Sequence, residues 1–214
     1  MTGLVTLADM YAAPYDLLAM RIGTSEVRLR GIVARWRNAG LAATGQLSEG
    51  PSWCWLTPAG MRQVGHRWEA APPALARLAH IRATLAARMW LEAGQEWKAG
   101  HAWWRCERRI REAHPGAGQP HLPDAEVTWP AVEGSPPAGE TWCVEVELHR
   151  KEAARTQQIM SGLLARHYAR VLYLCAPPAL PMVTRSAAKF RPEQAARILI
   201  RQLPPAALMP GVSA

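Results

Sequence analysis

The 214-residue sequence predicts a two-domain chain of mixed class, combining α+β and α/β character, with an ordered core up to residue 203. Three observations predict it. Within residues 1–71, three short helical stretches precede two strand-like runs and a capped helix. Pro72-Pro73 then marks a boundary before a long helix rich in Ala, Leu and Arg. After that, three strand-like runs, a helix and a fully apolar strand follow in order, with acids recurring at period two. The expected boundaries are 1–71, 72–203 and a disordered tail at 204–214.

Composition narrows the class further. Hydrophobic residues make up 49% of the chain and ten are tryptophan, enough to bury a core in each domain. No apolar run reaches the 18 or so residues of a membrane span. The N-terminus has no basic region followed by an apolar core, so the expectation is a cytoplasmic protein. The four cysteines are widely spaced without a C-x-x-C pair, and three sit in apolar, strand-like runs. They read as buried reduced thiols, not disulfides or zinc ligands. The net charge of +8 favours an anionic partner such as nucleic acid. Arginine outnumbers lysine 22 to 3, a bias that high-GC coding also produces, so charge alone does not decide the partner.

In the first domain, Leu4 to Tyr11 and Asp16 to Met20 read as helices broken at Pro14. Thr24 or Ser25 caps the next helix, Glu26 to Asn38, whose expected buried set is Val27, Leu29, Ile32, Val33 and Trp36. Arg28, Arg30, Arg35 and Arg37 fill much of the rest, and Gly40 suits the left-handed position that ends a helix. Residues 41–45 and 52–56 read as strands joined through Glu49-Gly50-Pro51. Thr57-Pro58 opens a further helix. Helices, hairpin and closing helix together make a winged helix-turn-helix. Its third helix would enter a DNA major groove, the hairpin would be the wing, and Arg28, Arg30, Arg35 and Arg37 would contact phosphates or bases. The runs RLRGIVARWRNAGL and WLTPAG resemble the corresponding parts of many bacterial winged-helix domains. Seven Arg/Lys against five Asp/Glu over residues 1–70 leave a protein-docking role open as the alternative.

In the second domain, residues 74–93 read as a helix packing on a sheet, with Leu75, Leu78, Ile81 or Arg82, Leu85 and Met89 at helical spacing. Trp97 and the run His101 to Glu107 read as an aromatic core strand. The charged segment after it contains Arg108, Arg109 and Arg111, with Arg108 and Arg109 as further DNA-binding candidates. Residues 114–120 and 130–139 read as loops around a strand at 125–129. Residues 141–149 read as a long strand, 152–169 as a helix, 170–175 as an interior strand and 192–203 as a last helix.

The long strand carries the chemistry. Val144, Val146 and Leu148 alternate with Glu145, Glu147 and His149, so two carboxylates share a face, and Pro123-Asp124 lies across a strand pairing. Such acids either decorate a solvated face or hold a cation, because carboxylates this close repel and raise one another's pKa. Glu107 is a further acid near by in sequence.

The order αβββαβ with these acids is similar to the core of PD-(D/E)XK nucleases, Pro123-Asp124 matching one half of the motif and Glu145 the other. The resemblance implies Mg or Mn held by Asp124 and Glu145, activating water for phosphodiester cleavage. Glu147 stands where such nucleases usually carry lysine. Lys151 lies four residues further on, within reach to serve instead, and Gln157 or Gln158 would add a polar contact. Over most of the chain, the winged helix with WWRCERRIRE, HLPDAEV and CVEVELHRK resembles the replication-relaxation family of actinobacterial plasmids and mobile elements. In that family the segment matching Glu145 and Glu147 carries a pair of acids.

The resemblance implies a DNA-binding protein of a plasmid or mobile element, acting in replication, relaxation or DNA processing. Its implied partners are DNA, a second copy of the chain and plasmid replication or transfer proteins. Two versions remain: a Mg/Mn-dependent endonuclease or nickase using Asp124, Glu145, Glu147 and Lys151, or a catalytically silent nuclease-like fold. The second would serve as a replication accessory, transcriptional regulator or docking module.

Overall fold

The structure, a computed structural model, describes residues 2–47, 49–94, 102–114, 121–129 and 139–208. Trp97, His101 and most of the two loops expected at 114–120 and 130–139 lie outside the described residues. The chain is a mixed α+β protein that divides into two compact units, Met1–Ala86 and Ala87–Leu208.

The first unit begins with α1 (Thr2–Met10), β1 (Ala13–Pro14), α2 (Tyr15–Arg21) and α3 (Glu26–Asn38). It continues with β2 (Ala42–Gly45), β3 (Trp53–Leu56) and α4 (Pro58–Gln63). Pro14 does break the first two helices, and the break is itself a strand: Ala13 pairs with Cys54 and Pro14 with Trp53. The sheet order is β1-β3-β2, all antiparallel. Ser25 caps α3 by accepting from the Arg28 amide at 3.3 Å. At the other end Gly40 takes φ 69°, and Leu41 N–H donates to the Trp36 carbonyl at 2.8 Å. Thr57 caps α4, with Pro58 in its first turn. A Cβ on Gly60 would meet the Leu41 carbonyl oxygen at 1.9 Å, so only glycine lets α4 close against the end of the α3–β2 connection.

A short 3₁₀ turn, Leu75–Arg77, leads into α5 (Leu78–Glu92). The first half of α5 packs within the N-terminal unit. Leu78 and Ile81 join Ala12, Trp53 and Trp55 in one core cluster, and Arg82 pairs with both Asp16 oxygens at 3.0 and 2.6 Å. The expected helix on the second domain's sheet is therefore committed at its start to the first unit, and the units divide inside α5. Apolar residues at its N-terminal end find their partners around Trp53, a match that spacing along the helix could not reveal.

The second unit contains β4 (Trp103–Cys106), α6 (Glu107–Ala113), β5 (Ala125–Thr128), β6 (Thr141–Glu147) and α7 (Ala153–Leu164). After these come β7 (Arg170–Cys175), α8 (Leu180–Ala187), α9 (Pro192–Ala195) and β8 (Ile198–Gln202). The five strands form one sheet in the order β4-β5-β6-β7-β8. Its first two pairings are antiparallel and its last two parallel. Helix α7 buries Ile159, Met160, Leu163 and Leu164 in a cluster with Cys143, Val171, Tyr173 and Cys175, and Val183 and Ala187 of α8 join it. Alternation along β6 places Cys143, Glu145 and Glu147 on that same helix-covered face.

Three expectations are corrected here. Glu107, expected at the end of the aromatic strand, instead opens a helix, α6, that carries the charged run, and it pairs with Arg111 one turn on. Trp103, expected in the core, is 81% exposed on the edge strand β4. The helix expected at 192–203 is a single turn, α9, followed by β8. There Ile198, Leu199 and Ile200 pair with Val171, Leu172 and Tyr173, so sheet pairing of a β-branched run overrides the helical reading. Beyond it, residues 204–208 are ordered: Leu203 N–H donates to the Cys175 carbonyl at 2.9 Å and Ala207 is buried. Residues 209–214 lie outside the description. All four cysteines are buried, and none is in a disulfide. No helix among the described residues is long and apolar enough to cross a membrane.

Candidate functional site

The acids predicted from sequence converge at one end of the β5–β6 pair. Ala125 pairs with Val144, so Asp124, one residue earlier, comes opposite Glu145. The Val146 amide donates to Asp124 Oδ2 at 2.8 Å, which ties that carboxylate to β6. Period-two alternation assigns the two faces of β6 correctly but not their exposure. Glu145 is 2% and Glu147 5% exposed, because the acid face is the one that α7 covers. The reading of these glutamates as decoration on a solvated face is thereby overturned.

A buried carboxylate requires a cation or several donors, since desolvation otherwise costs several kcal/mol. Each glutamate has its own. His121 Nε2 lies 3.0 and 2.9 Å from the two Glu145 oxygens. Lys151 Nζ donates to Glu147 Oε1, reaching back one helical-turn distance in sequence from the loop after β6. Arg166 in turn donates to the His121 carbonyl at 2.9 Å, which fixes the loop carrying the imidazole.

The electrostatics follow from this crowding. The Glu145 carboxyl is pushed up to about 7 in all: burial raises it most, the His121 hydrogen bond lowers it, and the Asp124 and Glu147 charges raise it. The hydrogen bond to Glu145 raises His121 above its ordinary value against the effect of burial. Tyr173 pairs with Glu145 in register, and its buried hydroxyl has no partner among the described residues. Burial first, then the Glu145 and Glu147 charges, raise its pKa.

Sequence reasoning missed two members. His121 lies three residues before Asp124, and Glu126 two after it on the same face, so the period-two rule that found Glu147 would also have found Glu126. Glu126 is 4% exposed and accepts from Tyr168 Oη at 2.7 Å and Arg105 Nη1 at 2.8 Å. Gln158 accepts from Arg155 at 3.0 Å, and Gln157 Nε2 is buried without a partner among the described residues.

The basic candidates divide by location. Arg28, Arg30, Arg35 and Arg37 are all exposed on α3, a helix that buries only Leu29 and Val33 and leaves Val27 79% exposed. At 100° per residue, Arg30 and Arg37 fall on one flank and Arg28 and Arg35 on the other. Arg108 and Arg109 are half-buried in α6, where the Arg109 carbonyl accepts from Arg105.

The donor chemistry at Asp124 and Glu145 fits a hard cation: both offer carboxylate oxygens, and their mutual repulsion is part of what raises Glu145. His121 now engages both Glu145 oxygens, so an ion reaching Glu145 would displace the imidazole or take Nε2 as a further donor. Among the described residues, no group of three or more His, Cys, Asp or Glu side chains is arranged to hold a metal ion. Comparison with protein-family models, with curated proteins and with solved structures finds no match to this chain.

Proposed function

We propose that this chain is a DNA-binding protein of a plasmid or mobile element, acting in replication, relaxation or DNA processing. The N-terminal unit acts as a winged helix, with α3 as the helix presented to DNA and β2–β3 as the wing. The C-terminal unit acts as a PD-(D/E)XK nuclease-like domain of the replication-relaxation kind. The observation that carries the reading is the convergence of Asp124, Glu145, Glu147 and Lys151 at one end of β5–β6, within the order α5-β4-α6-β5-β6-α7-β7, where α6 is an addition to the expected αβββαβ order. Asp124 also accepts from the Val146 amide, but the ion pairs of Glu145 and Glu147 stabilise little over well-packed hydrophobic side chains, which favours a functional reason for the two glutamates.

Asp124 and Glu145 would hold Mg or Mn, and the bound ion would supply a polarised water and neutralise charge on a scissile phosphate. The chain's own contribution is positional. Val146 N–H orients Asp124, His121 holds a proton at the Glu145 oxygens, and Lys151 balances Glu147. A second reading has a specific observation in its favour: His121 and Lys151 already neutralise the two glutamates, as suits a catalytically silent platform for DNA or a replication partner.

Supercoiled plasmid incubated with the full chain and Mg or Mn separates the two. Nicking that disappears in both Asp124→Ala and Glu145→Ala supports the enzyme. Salt-sensitive binding with no nicking supports the platform. Absence of binding at low salt refutes both.

A further inference from the structure

The N-terminal unit contains a cleft of about 330 Å³ between α3 and the β2–β3 strand pair, remote in sequence from the acid cluster. That volume lies within the range of roughly 300–1,000 Å³ typical of small-ligand pockets. Its lining includes Arg30 and Arg37 from α3, Tyr15 from α2, Thr44 from β2, and Gln46 and Ser52 from the hairpin. No acidic residue lines it.

The neutral part of the wall is internally satisfied. Gln46 Nε2 donates to the Gly50 carbonyl at 2.7 Å, and Ser52 Oγ donates to Gln46 Oε1 at 3.3 Å. Tyr15 is 8% exposed, and its hydroxyl hydrogen-bonds with Thr44. The charged part is not satisfied. Neither the Arg30 nor the Arg37 guanidinium makes a hydrogen bond or ion pair among the described residues. Both guanidinium charges nevertheless act on the buried Tyr15 hydroxyl. The two arginines stand two helical turns apart, about 10.5 Å along α3, and face one concave space. Two uncompensated cations and a hydroxyl wall complement an oxyanion with several acceptor oxygens. Guanidinium forks bind phosphate by paired, charge-assisted hydrogen bonds.

We propose that this cleft is a phosphate-binding site, with Arg30 and Arg37 as its charged donors and the Tyr15–Thr44 hydroxyl pair as its neutral wall. The phosphate belongs either to a nucleic-acid backbone or to a free phosphorylated molecule. Arg28 and Arg35, on the opposite flank of the same helix, are not part of the site and serve as its internal control. The proposal does not depend on the acid cluster, and an inorganic probe reads it even if the chain does not bind DNA.

The test titrates the full chain with inorganic pyrophosphate by calorimetry at low salt, and with labelled duplex DNA by anisotropy. Wild type, Arg30→Ala/Arg37→Ala and Arg28→Ala/Arg35→Ala are compared, with melting curves confirming that all three fold. Pyrophosphate affinity falls about tenfold or more in the first double variant and stays within about twofold in the second. If duplex affinity also falls more in the first variant, the phosphate comes from a DNA strand; if the two variants bind DNA equally, it comes from a free molecule. Pyrophosphate that does not bind wild type, or that binds both double variants equally, overturns the proposal.

Discussion

Helix α3 and strand β6 carry opposite charges and treat them in opposite ways. The four arginines of α3 are exposed, and Arg30 and Arg37 face a shared cleft without counter-ions among the described residues. The glutamates of β6 lie under α7, each matched to a cation from a neighbouring loop. An exposed arginine is solvated and costs the fold little, so its partner can arrive from outside. A buried carboxylate must be neutralised before the sheet is complete. Charge on α3 is therefore available for binding, whereas charge on β6 is first a condition of folding.

The largest expected effect of breaking that contrast is on the β6 side. His121→Ala leaves Glu145 buried without its cation. It should cost about 3 kcal/mol in urea unfolding, the low end of the range for a broken buried pair because the imidazole is partly exposed. Adding Glu145→Gln to that variant should recover most of the loss, since it removes the stranded charge. Lys151→Ala should cost less, about 1 kcal/mol, because the ammonium is 42% exposed and water can take its place.

The same pair gives stability a pH slope. Glu145 is raised from 4.5 to about 7, most of all by burial, and the Glu145 hydrogen bond raises His121 above 6.5. Both shifts mean that the folded state holds protons the unfolded state has released. The contribution is complete below pH 4.5 and declines as pH rises through 6.5 and the folded values above it. Melting temperature should therefore fall more between pH 5 and about 8.5 in wild type than in His121→Gln/Glu145→Gln. Equal slopes in the two proteins would show that the pair is not the source.

On the α3 side stability effects should be small. Ser25→Ala removes the cap and should cost about 1 kcal/mol. Replacing any one of Arg28, Arg30, Arg35 or Arg37 with alanine should change stability by less than about 0.5 kcal/mol. An arginine that proves costly would have a structural contact and would narrow the contrast.

The difference between the regions also explains what the sequence could reveal. Caps and turns were legible because they are local: Ser25, Gly40, Thr57 and Pro58 act within a few residues of one another. The faces of β6 were legible from alternation. Its burial was not, because it depends on α7 returning over the acid side. His121 carries no local signal because its partner is 24 residues away. Helix α8, with Pro181 in its first turn, and strand β8, reading as the end of a helix, have weak local signals. Their identity comes from packing against α7 and pairing with β7.

The most direct test of the account is the salt dependence of duplex DNA binding, measured for wild type and for a variant with Arg28, Arg30, Arg35 and Arg37 all replaced by alanine. If these arginines meet DNA phosphates, the slope of log affinity against log salt should shrink by about 3.6, roughly 0.9 for each contact. Equal slopes in the two proteins would contradict the account and remove α3 from the DNA-binding surface.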